Sequence, residues 1–298
     1  MIRSVPSISV GMPVYNGDQY VADAISAIQN QTFADFELII SDNASTDGTQ
    51  DVCRRFARTD SRIQYSRNER NLGAAQNYNL VFRKSVGRYF RWANADDVSG
   101  RELHARCFDV LERHPDAVLA YGKTQLIDQD GSVMQDYEDN LNLRDQRPSD
   151  RYRKFFDVVG LSNVLYGLIR RDALTQTRLM GTGGIPSADI LLIAELTLHG
   201  KFVEIPQSLF SRRIHRMASS WNPSDDEAQR KFWSASGKGF VLPTWRTGFS
   251  EIASVFKAPI SASEKAKICR YIVRRMSWAR VDLAHELFQL VSLARRSG

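Results

Sequence analysis

The chain has 298 residues, of which 43% are hydrophobic and 25% are charged, as in an ordinary folded soluble protein. It contains no run of about eighteen apolar residues, so the sequence predicts no membrane span. Its first residues predict a strand and not a signal peptide. The three cysteines, Cys53, Cys107 and Cys269, are too few and too far apart for a disulfide framework or a zinc site. This usage favours a reducing, cytoplasmic environment.

The net charge of +6 is concentrated at the C-terminus. Residues 1–224 contain equal numbers of basic and acidic side chains, whereas residues 225–298 contain 13 Lys and Arg against 7 Asp and Glu. A nucleic-acid-binding protein would carry basic residues interleaved with aromatic ones across its main domain. The neutral first part therefore argues against nucleic acid as a partner, and the asymmetry predicts two functional regions.

The first half alternates between strand-like and helix-like segments. Strands are predicted at residues 7–12, 36–41, 63–66, 88–93 and 118–121. Helices are predicted between them, at residues 18–28, 49–59, 74–85 and 101–113. This order predicts an α/β fold with a mostly parallel sheet flanked by helices.

The second half has a looser pattern. Its predicted features are a turn at 128–131, a polar mobile loop at 136–150, strands at 163–169, 202–205 and 209–214, and a helix at 190–198. From about Pro223 the chain is predicted to be helical, because apolar residues recur at three- and four-residue spacing from Ile268 to Ala294. We therefore predict a catalytic domain at 1–222, with halves at 1–100 and 101–222, and a basic helical extension at 223–298.

Polar clusters follow three of the predicted strands, at residues 13–16, 41–48 and 94–97. Parallel sheets bind ligands at the carboxyl ends of their strands, so these clusters predict one site. The adjacent carboxylates of Asp96 and Asp97 repel each other, and a divalent cation with oxygen ligands would stabilise them and contact a diphosphate. A helix cap is the alternative explanation for this pair.

These motifs, with Asn71-Leu72-Gly73 and Asn79, resemble the family 2 glycosyltransferases over roughly residues 7–220. The resemblance implies a GT-A fold and a nucleotide-sugar donor. It also implies a divalent metal, Mn²⁺ or Mg²⁺, bound by Asp97. The nucleotide-binding residues that it implies are Pro13, Tyr15, Asp42, Asn79 and Asp96. Two positions depart from the family pattern, which often has Asp at Asn94 and Arg at Tyr78.

Asp189, at the start of an apolar helix, matches the position of the family's catalytic base. A carboxylate that accepts the proton of the acceptor hydroxyl lowers the barrier to transfer, although Asp189 also suits a helix cap. Arg212, Arg213 and His215 follow the last predicted strand and are candidates for contacts with the diphosphate. Solvated surface side chains are the alternative explanation for these three.

The sequence thus predicts an inverting sugar transfer from a nucleotide-diphosphate donor, with UDP expected, to a saccharide or lipid-linked acceptor. Family habit suggests bacterial surface polysaccharide or glycolipid synthesis, in the cytoplasm or at the inner face of the membrane. The C-terminal helices are predicted to contact a membrane surface, or to pack on the catalytic domain or a second subunit, and packing is favoured.

Three other functions compete with this prediction. A sugar-1-phosphate nucleotidyltransferase would carry a glycine-rich basic loop after the first strand, and a dinucleotide-dependent oxidoreductase would carry G-x-G-x-x-G there. Neither motif follows the first strand. A non-enzymatic basic binding module remains as an alternative, because the C-terminal region is basic.

Overall fold

The computed structural model describes residues 5–181, 188–216, 232 and 242–296, with side chains up to residue 288. In the first third of the chain, strands and helices alternate. These elements are β1 (Ile8–Val14), α1 (Val21–Gln29), β2 (Phe36–Asp42), α2 (Thr49–Thr59), β3 (Ile63–Arg67), α3 (Ala74–Lys84) and β4 (Tyr89–Trp92).

The rest of the chain completes the sheet and then becomes helical. Its next elements are β5 (Val98–Ser99), α4 (Leu103–Arg113), β6 (Ala117–Ile127), β7 (Val133–Tyr137), α5 (Pro148–Val158), β8 (Leu168–Arg170), α6 (Arg171–Thr175), α7 (Ala188–His199) and β9 (Lys201–Arg213). Three further helices follow: α8 (Pro243–Lys257), α9 (Ala262–Trp278) and α10 (Arg280–Arg296).

The described strands form one sheet in the order β3-β2-β1-β4-β8-β6-β9-β5, and β7 pairs with β6 beside this path. Strands β1 to β4 are mutually parallel, and β6 is parallel to β9. Strand β8 is antiparallel to both β4 and β6, and β5 is antiparallel to β9. The predicted α/β fold with a mostly parallel sheet is therefore confirmed, and so is the helical C-terminal region.

Strands β1 and β2 are buried along their whole length because helices cover both faces of the sheet. Gly11 in β1 allows α3 to approach the sheet closely. A Cβ atom at this position would lie 2.6 Å from Val81 Cγ2 and 2.7 Å from Phe90 Cζ, so a larger residue would push α3 away. This close packing fixes α3, and with it the loop that precedes α3.

Two predictions for the middle of the chain need correction. The predicted polar loop at 136–150 includes the end of β7 and the start of α5, and Leu141 and Leu143 within it are almost completely buried. The predicted strand at 163–169 is a 3-10 turn at Asn163–Tyr166 followed by β8. Leu141 and Leu143 are isolated apolar residues in a polar segment and give no periodic signal. The sequence pattern therefore did not reveal that they are buried.

From residue 242 to residue 296 the chain forms three helices instead of one continuous apolar face. Ile268 and Ile272 of α9 and Leu283 of α10 are buried, whereas Leu287 is 43% exposed. Glu251 of α8 accepts hydrogen bonds from Tyr152 of α5 and from Arg275 of α9, so α8 and α9 are tied to the sheet domain. This packing agrees with the favoured alternative for these helices. The domain boundary at 222/223 stays a prediction.

Some predictions lie outside the described residues. These are the predicted helical character of 223–231 and 233–241, and the side chains of Leu290 and Ala294. In the described part of the chain, no helix is both long and apolar enough to cross a bilayer.

Candidate active site

The loops after β1 and β2 are joined by hydrogen bonds at the carboxyl edge of the sheet. Asn16 adopts a left-handed conformation, with φ of 50°, and its backbone N–H donates to Ser45 Oγ at 2.9 Å. Its side-chain oxygen accepts from the backbone N–H of Thr46 at 2.8 Å. Tyr15, beside this junction, keeps 49% of its surface exposed. The paired loops thus hold an exposed aromatic ring next to Pro13, at the edge where ligands bind in such sheets.

Asp42 ends β2 and is completely buried. Its carboxylate accepts hydrogen bonds from the backbone N–H of Ser45 at 2.8 Å and from the hydroxyl of Tyr65 at 2.7 Å. Arg67 Nε lies 3.7 Å from the same carboxylate. These contacts fix the orientation of Asp42, and its role in nucleotide binding stays a prediction.

The Asn71-Leu72-Gly73 motif holds the end of β2 against the start of α3. Asn43 donates through Nδ2 to Asn71 Oδ1 at 2.8 Å, and its Oδ1 accepts from the N–H of Leu72 at 2.9 Å. Gly73 has φ of 80°, a conformation that favours glycine. The motif therefore has a structural explanation in this chain, which is the positioning of the β2 loop.

Asn79 is buried in α3, and both ends of its amide contact the backbone of Met180. Its Nδ2 donates to the carbonyl oxygen of Met180 at 2.7 Å, and its Oδ1 accepts from the Met180 N–H at 3.0 Å. These bonds join the first half of the chain to the segment before α7. In its described contacts Asn79 has a structural role, and nothing there supports a direct contact with the nucleotide.

The two adjacent carboxylates lie in different environments. Asp97 is 5% exposed, and its two oxygens accept from the backbone N–H of Arg213 and from Asn94 Nδ2, each at 2.9 Å. Asp96 is more exposed, and its Oδ2 lies 3.0 Å from His215 Nε2. Burial, together with the neighbouring charge of Asp96, raises the pKa of Asp97 to about 7.

This environment suits a divalent cation. Burial and the neighbouring charge of Asp96 disfavour the carboxylate form of Asp97, and a bound cation would favour it. Carboxylate oxygens are the ligands that Mg²⁺ and Mn²⁺ prefer. Among the described residues, no three His, Cys, Asp or Glu side chains come together as a complete metal site. A cation here would therefore take several of its ligands from water or from a bound diphosphate, as Mg²⁺ commonly does.

Arg213 and His215 hold the loop that carries Asp96. Arg213 is 4% exposed, and it donates to the carbonyl oxygens of Asp96 at 2.9 Å and Gln129 at 3.0 Å. Its guanidinium also lies 4.5 Å from the ring centroid of Tyr20. Since these contacts use the guanidinium of Arg213, the structure gives it a positioning role. Direct contacts of Arg213 and His215 with a diphosphate stay a prediction.

Arg212 lies closer to the centre of the site. It donates through Nη1 to the carbonyl oxygen of Leu161 and to Asn163 Oδ1, each at 2.8 Å. Its charge favours the ionised forms of both Asp97 and Asp189. The charge of Arg212 therefore acts on two carboxylates that belong to opposite halves of the predicted catalytic domain.

Asp189 lies in the first turn of α7 and is half-buried. Burial raises its pKa, while the backbone amides of residues 189 and 190 and the charge of Arg212 act in the opposite direction. The carboxylate thus lies at the N-terminus of a helix, as the cap explanation requires. Its raised pKa also suits a group that accepts a proton near neutral pH.

Two residues that depart from the family pattern contact each other. The hydroxyl of Tyr78 donates to Asn94 Oδ1 at 2.6 Å, and Asn94 in turn donates to Asp97. Asp at 94 would place a third carboxylate beside Asp96 and Asp97, and the amide avoids this repulsion. The sequence marked both positions as unusual, but it gave no sign that they form one network.

Tyr166 is a further residue of the site that the sequence did not indicate. Its ring stacks on Phe210 with centroids 5.2 Å apart, and its hydroxyl hydrogen-bonds with Asn94. Burial raises its pKa, and the charges of Asp97 and Asp189 act in the same direction. The charges of both carboxylates thus act on Tyr166. Its position in a segment predicted to be a strand concealed this role.

Comparison with known proteins assigns the chain to a family. The model of the family described as glycosyl transferase family 2 matches residues 9–174, which is more than half of the chain. The protein belongs to glycosyltransferase family 2. The matched residues include Asp42, Asp96 and Asp97.

Two curated relatives match the N-terminal part of this family 2 glycosyltransferase. An uncharacterized glycosyltransferase of Methanocaldococcus jannaschii is 29% identical over 135 residues, covering 45% of this chain and 47% of that protein. A putative teichuronic acid biosynthesis glycosyltransferase of Bacillus subtilis is 31% identical over 130 residues, covering 43% of this chain and 51% of that protein. The matches thus span about half the length of these relatives.

Two solved structures share the fold. Staphylococcus aureus TarS in complex with UDP-GlcNAc has a TM-score of 0.64 at 14% identity, covering 90% of this chain and 72% of that chain. The mannosyltransferase PcManGT from Pyrobaculum calidifontis, in complex with GDP-Man and Mn²⁺, has a TM-score of 0.55 at 16% identity. That match covers 98% of this chain and 87% of the other. At these identities the likeness concerns the fold alone.

Proposed function

We propose that this protein transfers a sugar from a nucleoside-diphosphate donor to an acceptor hydroxyl, with inversion, and that it requires a divalent cation. The observation that carries this proposal is the pair of adjacent carboxylates at the end of the sheet, in which Asp97 is 5% exposed and lies next to Asp96. The nucleotide complexes of the two fold neighbours support a nucleotide-sugar donor, and the Mn²⁺ of PcManGT supports the metal.

We propose that Asp97, with Asp96 beside it, holds the cation against the donor diphosphate. A bound Mg²⁺ or Mn²⁺ would supply the positive charge that stabilises a departing nucleoside diphosphate. Tyr15 and Pro13 are placed to contact the base, and the fixed carboxylate of Asp42 to contact the base or ribose. UDP is our proposed nucleotide, because the TarS complexes contain UDP or UDP-GlcNAc.

Asp189 is our proposed general base. The acceptor hydroxyl gives its proton to the carboxylate as its oxygen bonds to the anomeric carbon, and the bond from that carbon to the diphosphate breaks. Arg212 lies near both carboxylates and adds fixed positive charge beside the departing group. Attack from the face opposite the diphosphate would give inversion.

The acceptor is proposed to be a saccharide or a lipid-linked saccharide at the cytoplasmic side of a bacterial membrane. The teichuronic acid relative supports a role in surface polysaccharide synthesis. The segments at 136–150 and 176–188, which flank Asp189 and the sheet edge, are the proposed acceptor loops, and residues 182–187 of the second lie outside the described residues.

A panel of nucleotide-sugars tests the proposal. With Mn²⁺ present, we expect slow hydrolysis of one donor to a nucleoside diphosphate and free sugar, and little reaction after chelation of the metal. Release of pyrophosphate from a nucleoside triphosphate and a sugar-1-phosphate would instead identify a nucleotidyltransferase. Absence of both reactions, and of nucleotide binding, would contradict an enzymatic role and favour the basic binding module.

Divalent-cation binding should weaken as the pH falls below about 7, because the metal-free Asp97 has a pKa raised to about 7 from 3.8. Below that pH the cation must displace a proton, so its affinity should fall by up to about tenfold per pH unit. Calorimetry of Mn²⁺-dependent UDP binding, in buffers that differ in ionisation enthalpy, measures both the affinity and the released proton. An affinity that does not change with pH would contradict the assignment of Asp97.

The same pKa shift predicts the pH dependence of stability without metal. A carboxyl group with a raised pKa binds its proton more tightly in the folded protein than in the unfolded chain. The contribution of Asp97 to the free energy of unfolding should therefore decrease as the pH rises from about 4 to about 7. Urea unfolding of the native protein and of Asp97→Asn, compared across this range, isolates this contribution.

A further inference from the structure

Helices α8 and α10 each carry large apolar side chains on their exposed surface. In α8, Phe249 and Phe256 are 59% and 64% exposed. In α10, Val281 and Phe288 are 73% and 75% exposed. Each pair is spaced seven residues apart, which places its members on one face of the helix. These helices therefore expose large apolar side chains in addition to the residues that they bury.

Helix α9 carries basic residues and a tryptophan away from its buried side. Ile268 and Ile272 face the protein interior, each with 1% exposure. Arg270, Arg274 and Trp278 are exposed on other sides of the helix, and the guanidinium of Arg274 lies 5.1 Å from the ring centroid of Trp278. Arginine beside an exposed tryptophan suits the boundary between lipid headgroups and hydrocarbon, because both side chains have an apolar body and a polar end.

We propose that the exposed surface of α8, α9 and α10 binds the surface of an anionic lipid bilayer. Its exposed apolar side chains would insert at the level of the headgroups, and its arginines would contact lipid phosphates. Residues 225–298 contain 13 basic and 7 acidic side chains, and the exposed Arg270 and Arg274 of α9 place part of this positive charge on the surface. This inference rests on the C-terminal helices alone and does not depend on the chemistry of the catalytic site.

Charge argues against a second copy of the chain as the occupant of this surface. A two-fold symmetric dimer places the same surface patch on both subunits. The arginines of α9 would then lie in an interface with the same arginines of the other copy. Like charges in an interface are repulsive, whereas an anionic bilayer attracts every one of them.

Sedimentation of the full chain with lipid vesicles tests the proposal. We expect binding to vesicles of phosphatidylcholine with phosphatidylglycerol and little binding to phosphatidylcholine alone. Binding should weaken as salt is added, since the Debye length falls from about 30 Å at 0.01 M to about 3 Å at 1 M. Loss of anionic selectivity, or no sedimentation with anionic vesicles at low salt, would overturn the proposal.

Two pairs of variants separate the charged and apolar contributions. Arg270→Gln with Arg274→Gln should weaken anionic-vesicle binding by about fivefold for each removed charge. Arg54→Gln with Arg58→Gln, on exposed positions of α2, removes the same charge and should leave binding nearly unchanged. If the α2 pair and the α9 pair of substitutions weakened vesicle binding equally, the effect would come from net charge alone and would contradict a binding surface on α9.

Phe249→Ser with Phe256→Ser should also weaken vesicle binding, while Val133→Ser with Met134→Ser should not. The control residues, in β7, are each 59% exposed, so the two pairs remove apolar side chains of similar exposure. Thermal unfolding by circular dichroism checks that each variant is folded. Analytical ultracentrifugation measures the oligomeric state. If the native protein is a dimer that does not bind vesicles, and the phenylalanine variant is a monomer, the surface binds a second copy of the chain and the proposal is wrong.

Discussion

Asp97→Asn is expected to abolish divalent-dependent binding of the nucleotide while leaving the protein folded. Asp97 is 5% exposed and lies beside Asp96, so its carboxylate is the buried negative charge that a cation would neutralise. An amide at this position has nearly the same shape but no charge. We therefore expect a loss of more than about 100-fold in Mn²⁺-dependent UDP affinity, because loss of an outer-shell partner of a metal ligand alone costs about 10–100-fold.

The stability of this variant should change little, because two effects oppose each other. Removing a buried charge that lacks compensation favours the folded state. Both partners of Asp97, the N–H of Arg213 and Asn94 Nδ2, are donors, so an amide leaves one of them without an acceptor. That loss costs about 1–3 kcal/mol. If Asp97→Asn and the native protein melt at similar temperatures without metal, a loss of nucleotide binding reflects the loss of a metal ligand and not unfolding.

Calorimetric titration of UDP with and without Mn²⁺ measures the expected loss. Asp109→Asn is the matched control, since Asp109 is a partly exposed carboxylate on α4 that pairs with Arg113. That variant should bind UDP as the native protein does. Mn²⁺-dependent binding of native strength in Asp97→Asn would remove Asp97 from the metal site and leave it as part of a structural network with Asn94.

The parts of the fold that were predicted correctly have local causes. The runs at Ile8–Val14 and Phe36–Asp42 are apolar and β-branched, and they are buried along their full length, so their burial is visible in the sequence itself. The helices between them carry apolar residues at regular spacing. Short-range patterns of this kind determine the strand–helix order, and that order determines which loops lie at the carboxyl edge of the sheet.

The surroundings of the candidate site depend on contacts between distant parts of the chain. Arg213 donates its N–H to Asp97 across 116 positions, and Asn79 contacts Met180 across 101. The basic residues after β9 were predicted to contact a diphosphate, and the structure adds that Arg213 holds the loop of Asp96 and Asp97. No local pattern distinguishes an arginine that binds a ligand from one that binds backbone carbonyls, because the difference depends on the pairing of β9 with β6 and β5.

Asp189→Asn is expected to lower turnover by roughly 10²–10⁴-fold, the usual contribution of a positioned acid–base group. The asparagine keeps an oxygen that can accept from the first-turn amides of α7, but it cannot take a proton from the acceptor. Donor affinity should be unchanged, since Asp97 and the loops after β1 and β2 are untouched. Loss of turnover without loss of donor binding is the result that defines a base.

A matched control separates this role from helix capping. Asp51 lies in the first turn of α2, as Asp189 lies in the first turn of α7. Each substitution by Asn removes a carboxylate from a helix N-terminus, so the two variants lose the same favourable interaction with the helix dipole. Asp51→Asn lies outside the proposed site and should keep native turnover. If Asp189→Asn also retained near-native turnover under saturating donor and acceptor, Asp189 would be only a cap, and another group would have to accept the proton.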